Sequence, residues 1–550
     1  MIKEILLGNE AIVKAALGSG VNFVSGYPGC PAAEIGDIFG KIAEKNGVYF
    51  EWSTNEKVAV ESAIGASFSG LKSLITMKSF GANVCSDSLL PLAYTGTKAP
   101  MVIILADDPS CWSSAQTEQD SRAYAYLGHI PMLEPSDVQE CYDFTKLAFE
   151  VSEKFNLPVI IRTTTRVAHQ RMPVEMSQGV KHGNQKMIGN FVKNPHQFCT
   201  LPPRILEMKK ELLDKIKKIK ELADKSSVNR AEGRRASSGL GIVTSGISYL
   251  YVKEALEELS VDLPVLKLGF FYPLSEKKIK KFISGLKKVL IAEELDGYLE
   301  KEIRAIAKDE NPKLQVFGKN LLSEIGELNT EKIGIAIAKI INKKFKSNLL
   351  KLESLNLKVP RRYPKLCQGC PHFYTLSAIK RAAPNAIFGG DIGCYMIAGY
   401  PPHNIQDYIF SMGASLGISH GIKKTTSQKV ITLIGDGTFF HAGIPALINT
   451  VYNKSNPLII VLDNRITAMT GHQTNPGVGK TGTEEETVML KPEEIASACG
   501  VKHIKVLDPI NMRELEDTIK DFITKDEVSL IVCRRICALL ARRDQKAKEG

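Results

Sequence analysis

The sequence predicts an α/β protein in which two large units, each built on a doubly wound parallel sheet, flank a smaller α/β unit. Three observations carry that expectation. Short apolar runs rich in β-branched residues alternate with helical runs up to about residue 185, lapse, resume over 240–345 and return over 367–542. A length of 550 residues accommodates about three or four domains. The composition, 44% hydrophobic and 24% charged, is that of a globular chain with ample core.

The elements follow in order. MIKEILLGNEAIVKAALGSG carries acids within its apolar periodicity and predicts an amphipathic helix instead of a signal peptide. VNFVSGYPG, VYFEWST, SLITMKS, MVIILADD and PVIIRTTT predict strands, with helices at AEIGDIFGKIAEKN and KVAVESAIGASFSG between them. These make up a first unit over 1–185. Residues 186–239 read as a charged helix, MKKELLDKIKKIKELADK, and a flexible linker, SSVNRAEGRRASSG. Strands GIVTSG, PVLKLGF and KVLIAEEL mark the middle unit over 240–345. A Lys-rich connection over 346–366 ends in VPRRYP. The last unit, 367–542, has strands in AIFGGDIGCY, VITLIGDG, PLIIVLDN and VSLIVCRR, and 543–550 is a polar tail.

Composition argues against several classes. No uncharged apolar run approaches the roughly 18 to 20 residues that span a bilayer. The net charge of +11 is spread along the chain, and its densest stretch, 201–240, reads as a solvated helix and linker with no nucleic-acid-binding motif beside it. Eleven cysteines without an export signal favour reduced thiols or metal ligation over disulfides, and a cytoplasmic location.

The chemistry concentrates near the carboxyl end. VITLIGDG closes on Gly435, Asp436 and Gly437, and PLIIVLDN closes on Asn464. A strand–helix–strand unit thus sets a carboxylate and an amide at the carboxyl ends of two strands, where open α/β sheets present ligands. The pair suits Mg²⁺ shared with a phosphorylated ligand; a β-turn at GDG and a helix cap at Asn464 are the plainer alternative. Cys367 and Cys370 form CQGC in a Pro-flanked loop, Cys394 follows in GGDIGC, and Cys533 and Cys537 lie in CRRIC. Such spacing suits zinc or an iron–sulfur cluster, and the ligands alone do not decide. A thioredoxin-like role for CQGC lacks an evident helix start. Glu56 precedes a helix, where the dipole favours any acid.

The GDG…Asn spacing resembles the thiamine diphosphate signature. CQGCPHF, GDIGCY, GDGTFFHAG and LDNRITAMTGHQ, together with SGYPGCPAAEI, EWSTNEKVAVE, ADDPSCWSSAQTEQDSR and LPVIIRTTTRVAHQR, resemble the 2-oxoacid:ferredoxin oxidoreductases, in particular the α subunits of the indolepyruvate branch, over essentially the whole chain. The resemblance implies two thiamine diphosphate-binding-type domains, 1–185 for the aminopyrimidine and 367–542 for the diphosphate, around a transketolase C-terminal-like domain. It implies that Gly435, Asp436, Gly437 and Asn464 hold thiamine diphosphate, and that Asp436, Asn464 and the main-chain carbonyl of Ile466 ligate Mg²⁺. It places one [4Fe–4S] cluster on Cys367, Cys370, Cys394 and Cys537, with Cys533 the less favoured fourth ligand. Glu56 would bond N1′ of the aminopyrimidine and promote the tautomer that deprotonates the thiazolium; Glu61, further along the helix, is its competitor and is expected to face the core. YPGCP resembles a YPxTP loop that holds the oxoacid carboxylate, with Cys30, a poorer hydrogen-bond donor, in place of Thr. His472 and Gln473, in the loop after Asn464, would reach the reacting carbon, a merely solvated loop histidine being the alternative; Glu118 to Arg122 would shape the entrance with no role in the chemistry.

The implied activity is oxidative decarboxylation of an aryl 2-oxoacid with CoA to acyl-CoA and CO₂, reducing ferredoxin. The implied partner is a β (γ-type) subunit, in a heterodimer or a dimer of heterodimers. In one respect the chain departs from the pattern: such α subunits typically continue into a ferredoxin-like domain with repeated CxxCxxCxxxC, and this sequence has no such repeat. A non-oxidative decarboxylase, or an inactive cofactor-binding partner subunit, is the alternative. The presence of Glu56, Asp436 and Asn464 together argues against the inactive subunit.

Overall fold

A computed structural model describes residues 2–177, 187–234, 239–347, 355, 360 and 362–549. Residues 235–238 of the linker and most of the stretch 348–361 in the Lys-rich connection lie outside the described residues. The chain forms two compact units, 1–358 and 359–550. Among the described residues no helix is long and apolar enough to cross a membrane.

The first unit contains β1 (Ile2–Leu7), β2 (Phe23–Gly26), β3 (Tyr49–Trp52), β4 (Ser73–Lys78), β5 (Met101–Asp107), β6 (Met132–Leu133), β7 (Val159–Thr164), β8 (Arg171–Met176), β9 (Arg230–Glu232), β10 (Leu240–Thr244), β11 (Val265–Lys267), β12 (Phe270–Tyr272), β13 (Lys288–Ala292) and β14 (Gln315–Phe317). Its larger sheet runs β12–β6–β7–β5–β4–β2–β3. All neighbours in it are parallel except β12, which pairs antiparallel with β6. Every residue of β4, β5 and β7 is buried, as a parallel sheet covered on both faces requires. The smaller sheet runs β14–β13–β10–β11–β9, with β9 antiparallel at its edge.

Four readings of this unit need correction. The opening segment is not one helix: Ile2–Leu7 pairs antiparallel with β8, and the helix spans Gly8–Gly18. Its partner RMPVEM lies far along the chain, so local periodicity could not reveal the pairing. PVLKLGF is two strands, β11 in the small sheet and β12 in the large one. The linker contains β9. The charged helix, Arg204–Lys225, is not wholly solvated: Met208, Leu212, Ile219 and Ala223 form a buried stripe at helical spacing.

The second unit has β15 (Ile387–Gly389), β16 (Val430–Gly435), β17 (Leu458–Asp463), β18 (His503–Leu507) and β19 (Ser529–Arg534), all parallel in the order β15–β16–β17–β19–β18. β16 and β17 are buried throughout, and their carboxyl ends carry Asp436 and Asn464.

Candidate active site

In the second unit, Gly435 ends β16 and Asp436 begins a helical run to Tyr452, interrupted by a π turn over Phe439–Gly443. GDG is therefore a strand-to-helix junction and not a tight turn. Its glycines allow close approach: a Cβ on Gly435 would lie 2.8 Å from the Tyr395 ring, and one on Gly437 would lie 3.0 Å from Thr467 Oγ1. Parallel pairing of Gly435 with Leu462 brings Asp436 and Asn464 into one cleft, which His372, Cys394, Tyr395 and Ile466 also line.

Asp436 is buried, and Asn475 donates to its Oδ2 at 3.2 Å. Burial, and then the neighbouring Asp463 carboxylate, push its pKa up to about 7. Asp463 has cationic partners, Arg534 at 2.6 Å and Arg465 at 3.6 Å. Among the described residues no cationic side chain pairs with Asp436, so this buried carboxylate fits a site that takes a metal cation. Asn464 is held at three points. Its Oδ1 accepts the Ile466 N–H at 3.3 Å, its Nδ2 lies 3.3 Å from His372 Nε2, and its main-chain carbonyl accepts the Cys537 N–H at 3.1 Å. Sequence reasoning missed Asn475 and His372. CPHF and TNPG were visible in the sequence, but only the fold brings them to the cleft.

The cysteines divide clearly. Cys367 and Cys370 form a turn leading into the helix Pro371–Ala382, so CQGC does stand at a helix start, contrary to the sequence expectation. Burial pushes the Cys370 thiol up to about 11 even though the His372 and Phe373 N–H groups donate to it. A reactive thioredoxin-type thiol moves the other way. Burial likewise pushes Cys394 up to about 12, and Cys370, Cys537 and Cys367 add to this through like-charge repulsion. Cys533 sits apart in β19, buried in the apolar core, with a hydrogen bond to Thr375. Among the described residues no three His, Cys, Asp or Glu side chains converge closely enough to hold a single metal ion. His472, at positive φ, places Nε2 3.7 Å from Cys537 Sγ. Gln473 is buried, and its amide bonds within its own turn to Thr470.

In the first unit, Asn55 caps the helix Glu56–Phe68 by accepting the Val58 N–H at 2.9 Å, so capping does not depend on the Glu56 side chain. Glu56 is buried, and Gly81 makes room for it: a Cβ there would lie 2.6 Å from Glu56 Cγ. Glu61 does not face the core. It is exposed and bonds Lys57 and Ser88. Cys30 is partly exposed, and burial raises its pKa despite the nearby Lys78 cation. Lys78, which sequence reasoning missed, is buried, donates to the Ser113 carbonyl at 2.8 Å and lies 3.7 Å from Asp108. The segment Glu118–Arg122 does not end at an entrance. Arg122 is fully buried, pairs with Glu134 at 2.6 Å and donates to the Glu294 carbonyl at 2.9 Å.

Comparison with known proteins shows the family. Residues 14–220 match the thiamine diphosphate-binding domain of pyruvate flavodoxin/ferredoxin oxidoreductases, 229–361 the indolepyruvate oxidoreductase domain, and 391–533 the C-terminal TPP-binding domain of thiamine pyrophosphate enzymes. In fold the chain is similar to the 2-oxoglutarate:ferredoxin oxidoreductase from Magnetococcus marinus, with a TM-score of 0.50 and 19% identity over 62% of this chain and 65% of that one. Taken together, fold, cleft and domain matches define a thiamine diphosphate-dependent 2-oxoacid oxidoreductase. The indolepyruvate oxidoreductase subunit IorA of Methanothermobacter marburgensis is 44% identical over 543 residues, 97% of this chain and 87% of its own length. That of Pyrococcus horikoshii is 42% identical over 571 residues, 100% of this chain and 87% of its own. The 2-oxoglutarate synthase subunit KorA of Methanocaldococcus jannaschii is 26% identical over 340 residues, 56% of this chain and 92% of its own. The chain belongs to the indolepyruvate oxidoreductase subunit IorA family.

Proposed function

We propose that this chain is the thiamine diphosphate-carrying α subunit of an enzyme that converts an aryl 2-oxoacid and CoA to acyl-CoA and CO₂, passing two electrons to ferredoxin and releasing one proton. The observation that carries this reading is the convergence of Asp436, Asn464 and Cys394 on one cleft at the carboxyl ends of β16 and β17. When bound, the coenzyme would supply a nucleophilic carbon for the oxoacid carbonyl and a cationic ring as the sink for the electron pair left by CO₂.

The chain's own residues would act as follows. Asp436, Asn464 and the Ile466 carbonyl would hold Mg²⁺ against the diphosphate, which relieves the buried Asp436 charge. Asn475 would fix Asp436 by donating to the carboxylate oxygen that it already contacts. Glu56 would hold a proton at N1′ of the aminopyrimidine, and its burial next to Gly81 would keep its side chain in one place. Cys367, Cys370, Cys394 and Cys537 would bind one [4Fe–4S] cluster. Cys394 lies near enough to Cys370, Cys537 and Cys367 to feel each of them electrostatically, which suits a centre shared by the four thiols. N–H donation from His372 and Phe373 to the Cys370 sulfur is the kind of bond that tunes such a centre. Cys30, His472 and Gln473 are candidate substrate contacts. The position of His472 beside Cys537 also suits the thiol side of the cleft.

A γ-type second polypeptide, ferredoxin and a cytoplasmic setting complete the proposal. The test is anaerobic viologen reduction by the chain with its partner subunit, across aliphatic and aromatic 2-oxoacids with and without CoA. CoA-dependent reduction that favours aromatic oxoacids is expected. Aldehyde release without dye reduction would instead establish the non-oxidative decarboxylase.

A further inference from the structure

The second unit contains a link between the thiol loop and the cation site. His372 follows Cys370 by two positions and is buried, with its ring edge-on to Tyr395 at 6.1 Å. Its Nε2 lies 3.3 Å from the Asn464 amide nitrogen. The Asn464 main chain in turn accepts the Cys537 N–H. The residue expected to ligate the cation is therefore gripped from both sides by segments that carry cysteines.

We propose that His372 is a positioning residue whose Nε2 lone pair fixes the Asn464 amide with its oxygen toward the cation, so that Mg²⁺–diphosphate affinity depends on the Cys367–Cys370 loop. The inference rests on the functional reading above and assigns a role within it. An asparagine amide has one end that ligates a cation and one that repels it. A bare Nε2 accepts only from the NH₂ end, which leaves Oδ1 on the opposite side, where it also meets the Ile466 N–H. With the proton on Nε2 the amide would turn over and present its NH₂ group to the metal, so the ring proton belongs on Nδ1. Partners of this kind, one step behind a metal ligand, typically change affinity 10–100-fold.

The test titrates thiamine diphosphate with Mg²⁺ into the anaerobically purified full chain and follows heat of binding, visible absorbance and thermal stability. Two replacements that cannot accept, His372→Leu and His372→Phe, should each weaken binding roughly 10–100-fold with the absorbance of the thiol-bound centre unchanged. His372→Gln, whose Oε1 still accepts, should retain most of the affinity. In an Asn464→Asp background, where either oxygen can face the cation, His372→Leu should cost little. Wild-type affinity in the Leu and Phe variants, an equal loss in the Gln variant, or an undiminished loss in the Asn464→Asp background would each overturn the assignment. Wild-type protein that takes up no thiamine diphosphate would overturn the reading beneath it as well, and that outcome is distinct from the other three.

Discussion

Replacing Gly81 with Ala isolates the placement of Glu56 from its chemistry. The new methyl would lie 2.6 Å from Glu56 Cγ and 2.9 Å from Met77 Cβ, where ordinary contact needs at least 3.4 Å. Met77 is fully buried in β4 and cannot retreat, so the Glu56 side chain takes up most of a displacement approaching about 1 Å. Overpacking of this kind costs about 1–3 kcal/mol of stability. A carboxylate displaced by about 1 Å from its working position costs roughly 10²-fold in turnover. Gly65, on the same helix as Glu56, has no atom within 4 Å of its would-be Cβ, and Gly65→Ala is the control. Steady-state viologen reduction and thermal denaturation are measured on both. Gly81→Ala should lose about two orders of magnitude in kcat while still folding, and Gly65→Ala should be unchanged or slightly more stable. A folded Gly81→Ala enzyme with near wild-type kcat would refute the argument that this contact fixes the carboxylate.

Other outcomes follow from the same geometry. Cys537→Ser should abolish the visible absorbance of anaerobically purified protein, whereas Cys533→Ser, in the core beside Thr375, should leave the spectrum intact and only lower stability. Asn475→Ala removes a hydrogen bond to a charged group worth about 1.5–3 kcal/mol, and should weaken Mg²⁺–thiamine diphosphate binding roughly 10–100-fold in calorimetry. Glu293 is buried, and its pKa is raised by burial from 4.5 to about 7 despite Arg122. A carboxyl raised on folding contributes stability that is full below about 4.5 and lost as pH rises through 7. Glu293→Gln should flatten that part of the denaturation profile, by up to about 3 kcal/mol between pH 4.5 and 7.5. A wild-type and variant difference independent of pH would contradict the assignment.

What could be read from the sequence was what is local. The central strands are continuous apolar runs because both faces of a parallel sheet are covered, and β4, β5, β7, β16 and β17 fall where those runs lie. That Asp436 and Asn464 share one cleft could be anticipated because both follow the carboxyl ends of such runs. Edge strands gave no comparable signal: β1, β9 and β12 are short or half-exposed, and each depends on a partner distant in sequence. The exposure of Glu61 is legible in helical spacing. Glu56, Ala59, Val60, Ala63 and Ser67 are the buried stripe of that helix, and Glu61 falls off it. His372 and Asn475 have meaning only once the fold brings them to the cleft, and a buried polar side chain gives no advance sign of its partner.

The short ribbon Phe270–Tyr272 has an architectural consequence. It leaves the sheet of its own neighbours to close the free margin of β6, and it buries Phe270 and Phe271 completely as it does so. A shortened version of the protein ending near residue 239 would expose that margin, with unpaired amides and a bare aromatic socket, and would tend to stick to copies of itself. The portion after residue 240, expressed alone, would carry two orphaned phenylalanines into water. Neither half of residues 1–358 is therefore a module that can be lifted out or exchanged, and any dissection of this chain has to cut elsewhere.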